Sequence, residues 1–359
     1  MELPLAYRTE PGDAPVISVD GAFDAPGLNL SHWPGNRTPR FLRRDLSCEI
    51  ALAFSSLEQA EQRRLARGCT ALVNNHYDTD GNAALFAVLR PTLALPRARA
   101  LIAAAAAGDF FQGADEGAFV LDTLVGAFAD RERSPIAAQL RGLDDEARSL
   151  RSTEYLFERF ADLLDGRNSE FAPLYAEPLA SLRADLADLS RAAKDDLAHL
   201  DLCVWTAAPE ARSGRPGSPG AFDPGRHALF AGPTPAGSAI SPSVRDRALV
   251  VGPRGAGATY RLVISTFSWF DLPTRAALGR PHLEQLALRL NEMEGTALDA
   301  PVRWRAQPTG SPSPELWFGR AQGAWFAEHC GALEVSGLAP TKVRRVILEM
   351  LRGALELPE

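Results

Sequence analysis

The stretch "NNHYDTDG", Asn74 to Gly81, sets a histidine and two aspartates at alternate positions and closes them with a glycine. In an extended chain a spacing of two sends side chains to one side, so His76, Asp78 and Asp80 would converge. A neutral imidazole with two carboxylates is a ligand set for a divalent cation such as manganese, magnesium or iron(II). Carboxylates this close repel each other, and a cation removes that cost. The same letters also have a structural reading. Asp-x-Asp-Gly suits an Asx turn or a helix cap, with Gly81 accepting positive φ. The flanks favour chemistry: "TALV" before the motif reads as a strand and "NAALFAVL" after it as a helix stopped by Pro91. That context puts the polar residues at the carboxyl edge of a sheet, where α/β proteins hold ligands. It also turns the N–H groups of a helix start toward an anionic substrate.

A second group of polar residues stands near the N-terminus. "LSHWPGNRTPRFLRRDLS" brings His32, Asn36, Arg37, Arg40, Arg43 and Arg44 into a turn-rich segment. Arg37 and Arg40 offer planar forks for a phosphate, and Asn36 a further polar contact. His32 is the candidate general acid, because an imidazole titrates near neutrality. Asn75, beside the motif, is a further candidate substrate contact. His199, His282 and His329 read as helix-end or surface residues. Glu315 and Asp271 sit beside aromatic residues and would need partners if buried. "GPRGAG" lacks the Gly-Lys-Ser/Thr ending of a P-loop, and no GxSxG elbow occurs.

"HYDTDGNAALFAVL" resembles the first motif of the DHH phosphoesterase superfamily, HxDxDGxxAxxxL. The resemblance implies an N-terminal layered sheet with helices and a pair of divalent metals, usually manganese, that activate water to cleave phosphoesters or phosphoanhydrides. It makes His76 and Asp78 ligands of one metal and Asp80 a ligand of the other. The family's second motif supplies a further aspartate, and Asp109 in "AAAAAGDFF" is the nearest candidate, although it also reads as the end of an alanine-rich helix. The chain departs from the family in having no Asp-His-His triplet and no glycine triplet, so one metal is as compatible as two. The expected activity is metal-dependent hydrolysis of a phosphate ester or anhydride in a small molecule or nucleotide. The rival is a non-catalytic protein that binds a nucleotide or phosphate ligand at a degenerate site.

Positioning such a site requires a sizeable scaffold, and 359 residues with 46% hydrophobic content supply one, with two domains the better division. "VISVDG" reads as a strand ending in a turn at Asp20-Gly21, and "EIALAF" as a second strand. "SSLEQAEQRRLARG" carries a helix start at Ser55 and a stop at Gly68. This strand–helix alternation predicts an α/β domain over 1–206, mostly helical beyond residue 97, with a charged helix delivering the chain to the strand "DLCVWTA". Residues 207–245, rich in proline, glycine and serine, read as a linker or insertion. A smaller α+β domain is expected over 246–359, with a hairpin in "RALVVGPRGAGATYRLVIST" and a C-terminal helix burying Val343, Val346, Ile347, Met350 and Leu351.

The net charge of −7 argues against a general nucleic-acid binder, whose surface is normally basic, and the expected partner is a small anionic substrate. The four cysteines are scattered without a CxxC pair, which fits a reducing cytoplasm better than a disulfide framework. The N-terminus lacks the pattern of a signal peptide, and "ALIAAAAAG" is too short to span a bilayer, so no membrane partner is expected.

Overall fold

The computed structural model describes residues 3–356 except 11, 22, 210, 212–219, 236, 237, 277 and 322–330. The protein is a mixed α/β chain in two compact units. The first comprises Met1–Leu179, Pro233–Ser241 and Phe270–Ala276, and the second Ala180–Gly232, Pro242–Trp269 and Ala277–Glu359. The division therefore differs from the expected break at 206. It falls inside the helix Ala172–Arg191, between Leu179 and Ala180 and just beyond Pro178, and parts of the expected linker are shared between the units.

The first unit is built on four strands: β1 (Leu5–Tyr7), β2 (Val16–Val19), β3 (Gly27–Leu30) and β4 (Leu72–Asn74). They pair in the order β1-β4-β2-β3, every pair parallel. All four residues of β2 are buried, as an interior parallel strand covered on both faces requires. Val16 and Val73 from β2 and β4 form a core cluster with Phe23, Ala25 and Ala71. The helices that concern the site are α1 (Ser47–Ser55), α2 (Gln59–Leu65), α3 (Thr79–Leu89), α4 (Ala98–Phe110), α5 (Glu116–Phe128) and α6 (Asp145–Phe157). α3 packs on β2 and β4, α1 on α3, and α6 on β1.

Two local expectations fail for identifiable reasons. "EIALAF" lies in α1, not in a strand, because a short apolar run carries no period that separates the two. Its N-terminal amides at Ser47 and Cys48 are satisfied by the carboxylate of Asp80, more than thirty residues away, which local sequence cannot show. The next helix starts at Gln59, not at Ser55, since Ser55 ends α1.

The second unit carries a mixed sheet: β5 (Ala193–Leu197), β6 (Leu202–Thr206), β7 (Arg247–Arg254), β8 (Gly257–Ile264), β9 (Arg303–Ala306), β10 (Glu315–Ala321) and β11 (Gly331–Leu333). Only β6 and β7 run parallel. The predicted hairpin is present as β7–β8, its turn including Gly255 at φ +55°. The charged segment before β6 is helical only to Arg191; "AKDDL" is the edge strand β5. In the C-terminal helix Pro340–Glu356, Val343, Val346, Ile347 and Leu351 are buried and Met350 packs beside them. No helix among the described residues is long and apolar enough to cross a membrane.

Candidate metal centre

Because β4, β2 and β3 are adjacent and parallel, their carboxyl ends open on one edge of the sheet, and each delivers a polar residue there. Asp20 follows β2, His32 lies two residues beyond β3, and His76 two beyond β4. Asp20 comes from the middle strand and so stands between the two histidines. It occupies the left-handed region at φ +46°, unusual for a residue other than glycine. Asp78 caps α3, its Oδ1 accepting from the Gly81 amide at 2.8 Å. Asp80 lies in the first turn of α3, and Asp109 in the last turn of α4.

These side chains form two clusters with one member in common. Asp20, His32, Asp80 and Asp109 make one, and Asp20, His76 and Asp78 the other. His32 Nε2 lies 3.1 Å from Asp109 Oδ2 and 3.6 Å from both Asp20 Oδ1 and Asp80 Oδ2. His76 Nε2 lies 2.9 Å from Asp78 Oδ2 and 3.4 Å from Asp20 Oδ2. Ligand atoms bonded at about 2.0–2.2 Å to a shared cation sit roughly 3.0–3.5 Å apart, so the observed spacings match the edges of a coordination shell.

The His32 imidazole is held in the tautomer such a role needs. His32 Nδ1 donates to the carbonyl oxygen of Asp45, which leaves Nε2 as the lone-pair nitrogen facing three carboxylates. His76 Nδ1 donates to Asn75 Oδ1 at 2.6 Å and Nε2 donates to Asp78 Oδ2 at 2.9 Å, so a cation at this cluster would take the place of the Nε2 proton. The His32 ring also stacks on Phe270, the centroids 3.9 Å apart and the planes 18° from parallel. Asp80 is fixed by the Ser47 and Cys48 amides, each 2.8 Å away. Asp20 Oδ1 accepts from Ser47 Oγ at 2.8 Å and from Trp33 Nε1 at 3.2 Å. His32 Nε2 and Asp20 Oδ2 are both buried, and among the described residues neither has a hydrogen-bond partner. Buried polar atoms are rarely left so, and a cation between them is the simplest complement.

Without a cation the charges are in conflict. Burial, then Asp78, lifts the Asp20 pKa from 3.8 to about 6. Burial, then Asp20, raises Asp80 well above the usual carboxylate range, and burial, then Asp78, does the same to Asp109. Burial would also raise Asp78, but His76 outweighs it and holds that carboxyl low. His76 itself is carried to about 10: burial opposes its charge, and Asp78 and Asp20 prevail. Stripped of these protons, the four carboxylates and two imidazoles would sum to −4, a charge that two divalent cations would cancel.

The sequence profile of a family of unknown function, DUF6687, matches residues 4–359. The chain belongs to the DUF6687 family. No curated protein and no solved structure matches it. In this DUF6687 chain, all four residues expected to hold metal, His76, Asp78, Asp80 and Asp109, belong to the two clusters. His32, the candidate general acid, lies in one of these clusters. Asn75, the candidate substrate contact beside the motif, accepts a hydrogen bond from His76.

The other expected substrate contacts lie outside the clusters. Arg37 donates to the backbone carbonyls of Phe23 and Ala25, and Asn36 to the Trp33 carbonyl and Asp271. Arg40 is exposed in the 3-10 turn Arg40–Leu42. His199 and His282 are in neither cluster, and His329 lies outside the described residues. Glu315 is buried and paired with Arg261 and Arg226. Sequence reasoning missed Asp20 as a site residue, since Asp20-Gly21 read as a turn. The available signal was an aspartate closing a largely apolar strand, as His76 follows another.

Proposed function

We propose that this protein is a divalent-metal-dependent hydrolase of a phosphate ester or anhydride in a small molecule or nucleotide. The observation that carries the reading is the sharing of buried Asp20 between two acid–histidine clusters, each spaced as a cation's ligands are. Its likeness to the first DHH motif supports it, because His76, Asp78 and Asp80 follow a parallel strand and lead into a helix as that motif does. Asp20, His32, Asp80 and Asp109 would hold one ion, and Asp20, His76 and Asp78 the other. Bound there, such ions supply charge to polarise a phosphoryl group and acidify water.

The protein's own residues give the centre two unequal sides. The side chains of Asp20, His32 and Asp80 are fully buried, whereas those of His76 and Asp78 are 32% and 33% exposed. Substrate therefore approaches at His76 and Asp78. His76 also lines a cavity of about 470 Å³, together with Tyr77 and Arg148. The Tyr77 hydroxyl and Arg148 Nε have no hydrogen-bond partner among the described residues. Arg148 also pairs through Nη2 with Asp145 at 3.1 Å, so a phosphate held here by Tyr77 and Arg148, the role expected of Arg37 and Arg40, would compete with that carboxylate. Trp33 shields the other side of His76, its ring 5.1 Å away.

The test is elemental analysis of protein purified without chelator, followed by assay against phosphomonoester, phosphodiester and nucleotide substrates in manganese or magnesium. About two equivalents of metal and a turnover abolished by His76→Ala are expected. Less than about a tenth of an equivalent in wild type, or saturable phosphate-ligand binding with no turnover, refutes the reading.

A further inference from the structure

The first unit holds another cavity, of about 430 Å³, which lies along α4 and is lined by none of the cluster residues. Ala98, Ile102 and Ala106 line it, four residues apart and hence on one helical face. Pro233 and Pro235 line it as well, so most of the exposed wall is small, apolar and smooth. The volume falls in the ordinary range for small-molecule sites. Two polar side chains stand out in this lining. Gln112 is 4% exposed, and neither its Nε2 nor its Oε1 has a hydrogen-bond partner among the described residues. Arg99 is exposed and forms no ion pair among the described residues.

A buried amide with both functions idle is unfavourable unless something pairs with it. Turning it toward the cavity breaks no hydrogen bond, and its terminal torsion is soft. A glutamine amide presents a donor and an acceptor side by side, the pattern that reads the edge of a nucleobase in two hydrogen bonds. Alanine and proline walls accept a flat ring face. We propose that this cavity binds a nucleobase-bearing small molecule, with Gln112 pairing to the base edge and Arg99 meeting a phosphate when one is attached. The inference stands apart from the metal reading, since none of the cluster residues lines this cavity.

The experiment is calorimetric titration of the full chain with adenosine, uridine, cytidine, guanosine and their 5′-monophosphates, each in EDTA and in manganese. At least one base is expected to bind with a Kd below roughly 1 mM in both buffers. Gln112→Leu weakens that binding at least about tenfold and raises the melting temperature of the ligand-free protein, because an unpaired amide is gone. A monophosphate preference removed by Arg99→Ala identifies a nucleotide ligand, and equal affinities identify a nucleoside; both support the pairing. The proposal is overturned if no compound binds, if Gln112→Leu leaves affinity unchanged, or if binding vanishes in EDTA and so belongs to the metal centre.

Discussion

Replacing Asp20 with asparagine separates the two things its carboxylate does. The amide keeps an oxygen for Ser47 Oγ and Trp33 Nε1 but removes a charge that the metal-free protein tolerates poorly. With a pKa of about 6 in place of 3.8, the ionised carboxylate at pH 7.5 costs the folded state about 3 kcal/mol. In EDTA, Asp20→Asn is therefore expected to melt above the wild type, by roughly 5–10 °C for a body of this size. Manganese should reverse the order. Each occupied site contributes about 2.7 kcal/mol at a hundredfold excess over its Kd, and the variant has lost the ligand common to both. Thermal denaturation of the two proteins in EDTA and in manganese measures all four states. If the variant melts below wild type in EDTA, or gains the same shift with manganese, the argument that Asp20 is a strained carboxylate awaiting a cation is wrong.

The pH dependence has a definite sign. Asp20 and Glu49 are acids whose folded pKa values are raised, to about 6 and about 7, mainly by burial. The metal-free protein should thus lose stability as pH rises from about 4 to about 7, where the unfolded chain releases protons that the native state retains. His76, lifted to about 10, keeps its proton through that window, and its contribution is lost above it. Denaturant titrations in EDTA at pH 5 and pH 7.5 check this, and equal or greater stability at pH 7.5 contradicts it. Gly81→Ala would put a methyl 2.2 Å from Asn74 Nδ2 and 2.9 Å from Asp78 Oδ1, on the exposed side of the centre. It should cost about 1–3 kcal/mol and reduce metal content toward one equivalent, read by denaturation and elemental analysis. Arg148→Ala should raise KM about tenfold or more, whereas Arg37→Ala should leave KM unchanged and lower stability by about 1–2 kcal/mol, since its guanidinium serves backbone carbonyls.

The spacing of His76, Asp78 and Asp80 was legible because it is local: a strand, a loop and a helix start in nine consecutive residues. The place of Asp20 was not, because it depends on β2 lying between β3 and β4, an order that no local pattern encodes. Asp109 could be named as a candidate from its position at the end of an alanine-rich helix, but only the packing of α4 brings it to His32. The surroundings of the arginine-rich segment were also beyond local pattern. Guanidinium groups in a turn-rich chain find unpaired carbonyls close by, and Arg37 and Arg44 both do so. The same difficulty made α1 look like a strand, since the partner of its first amides is a side chain from α3.

The return of residues Phe270–Ala276 to the first unit has a consequence for anyone dissecting the chain. Every proposed ligand lies between Asp20 and Asp109, which invites expression of an N-terminal fragment. Such a fragment would lack the aromatic plate under His32, the Asp271 amide that caps the His32 carbonyl, and the Thr274 contacts to Asp45. Asp45 in turn offers the oxygen that sets the His32 tautomer. Cleavage after Ser241 would leave all six proposed ligands in one piece with the platform of one of them missing, so a fragment that fails to take up metal says nothing against the intact protein.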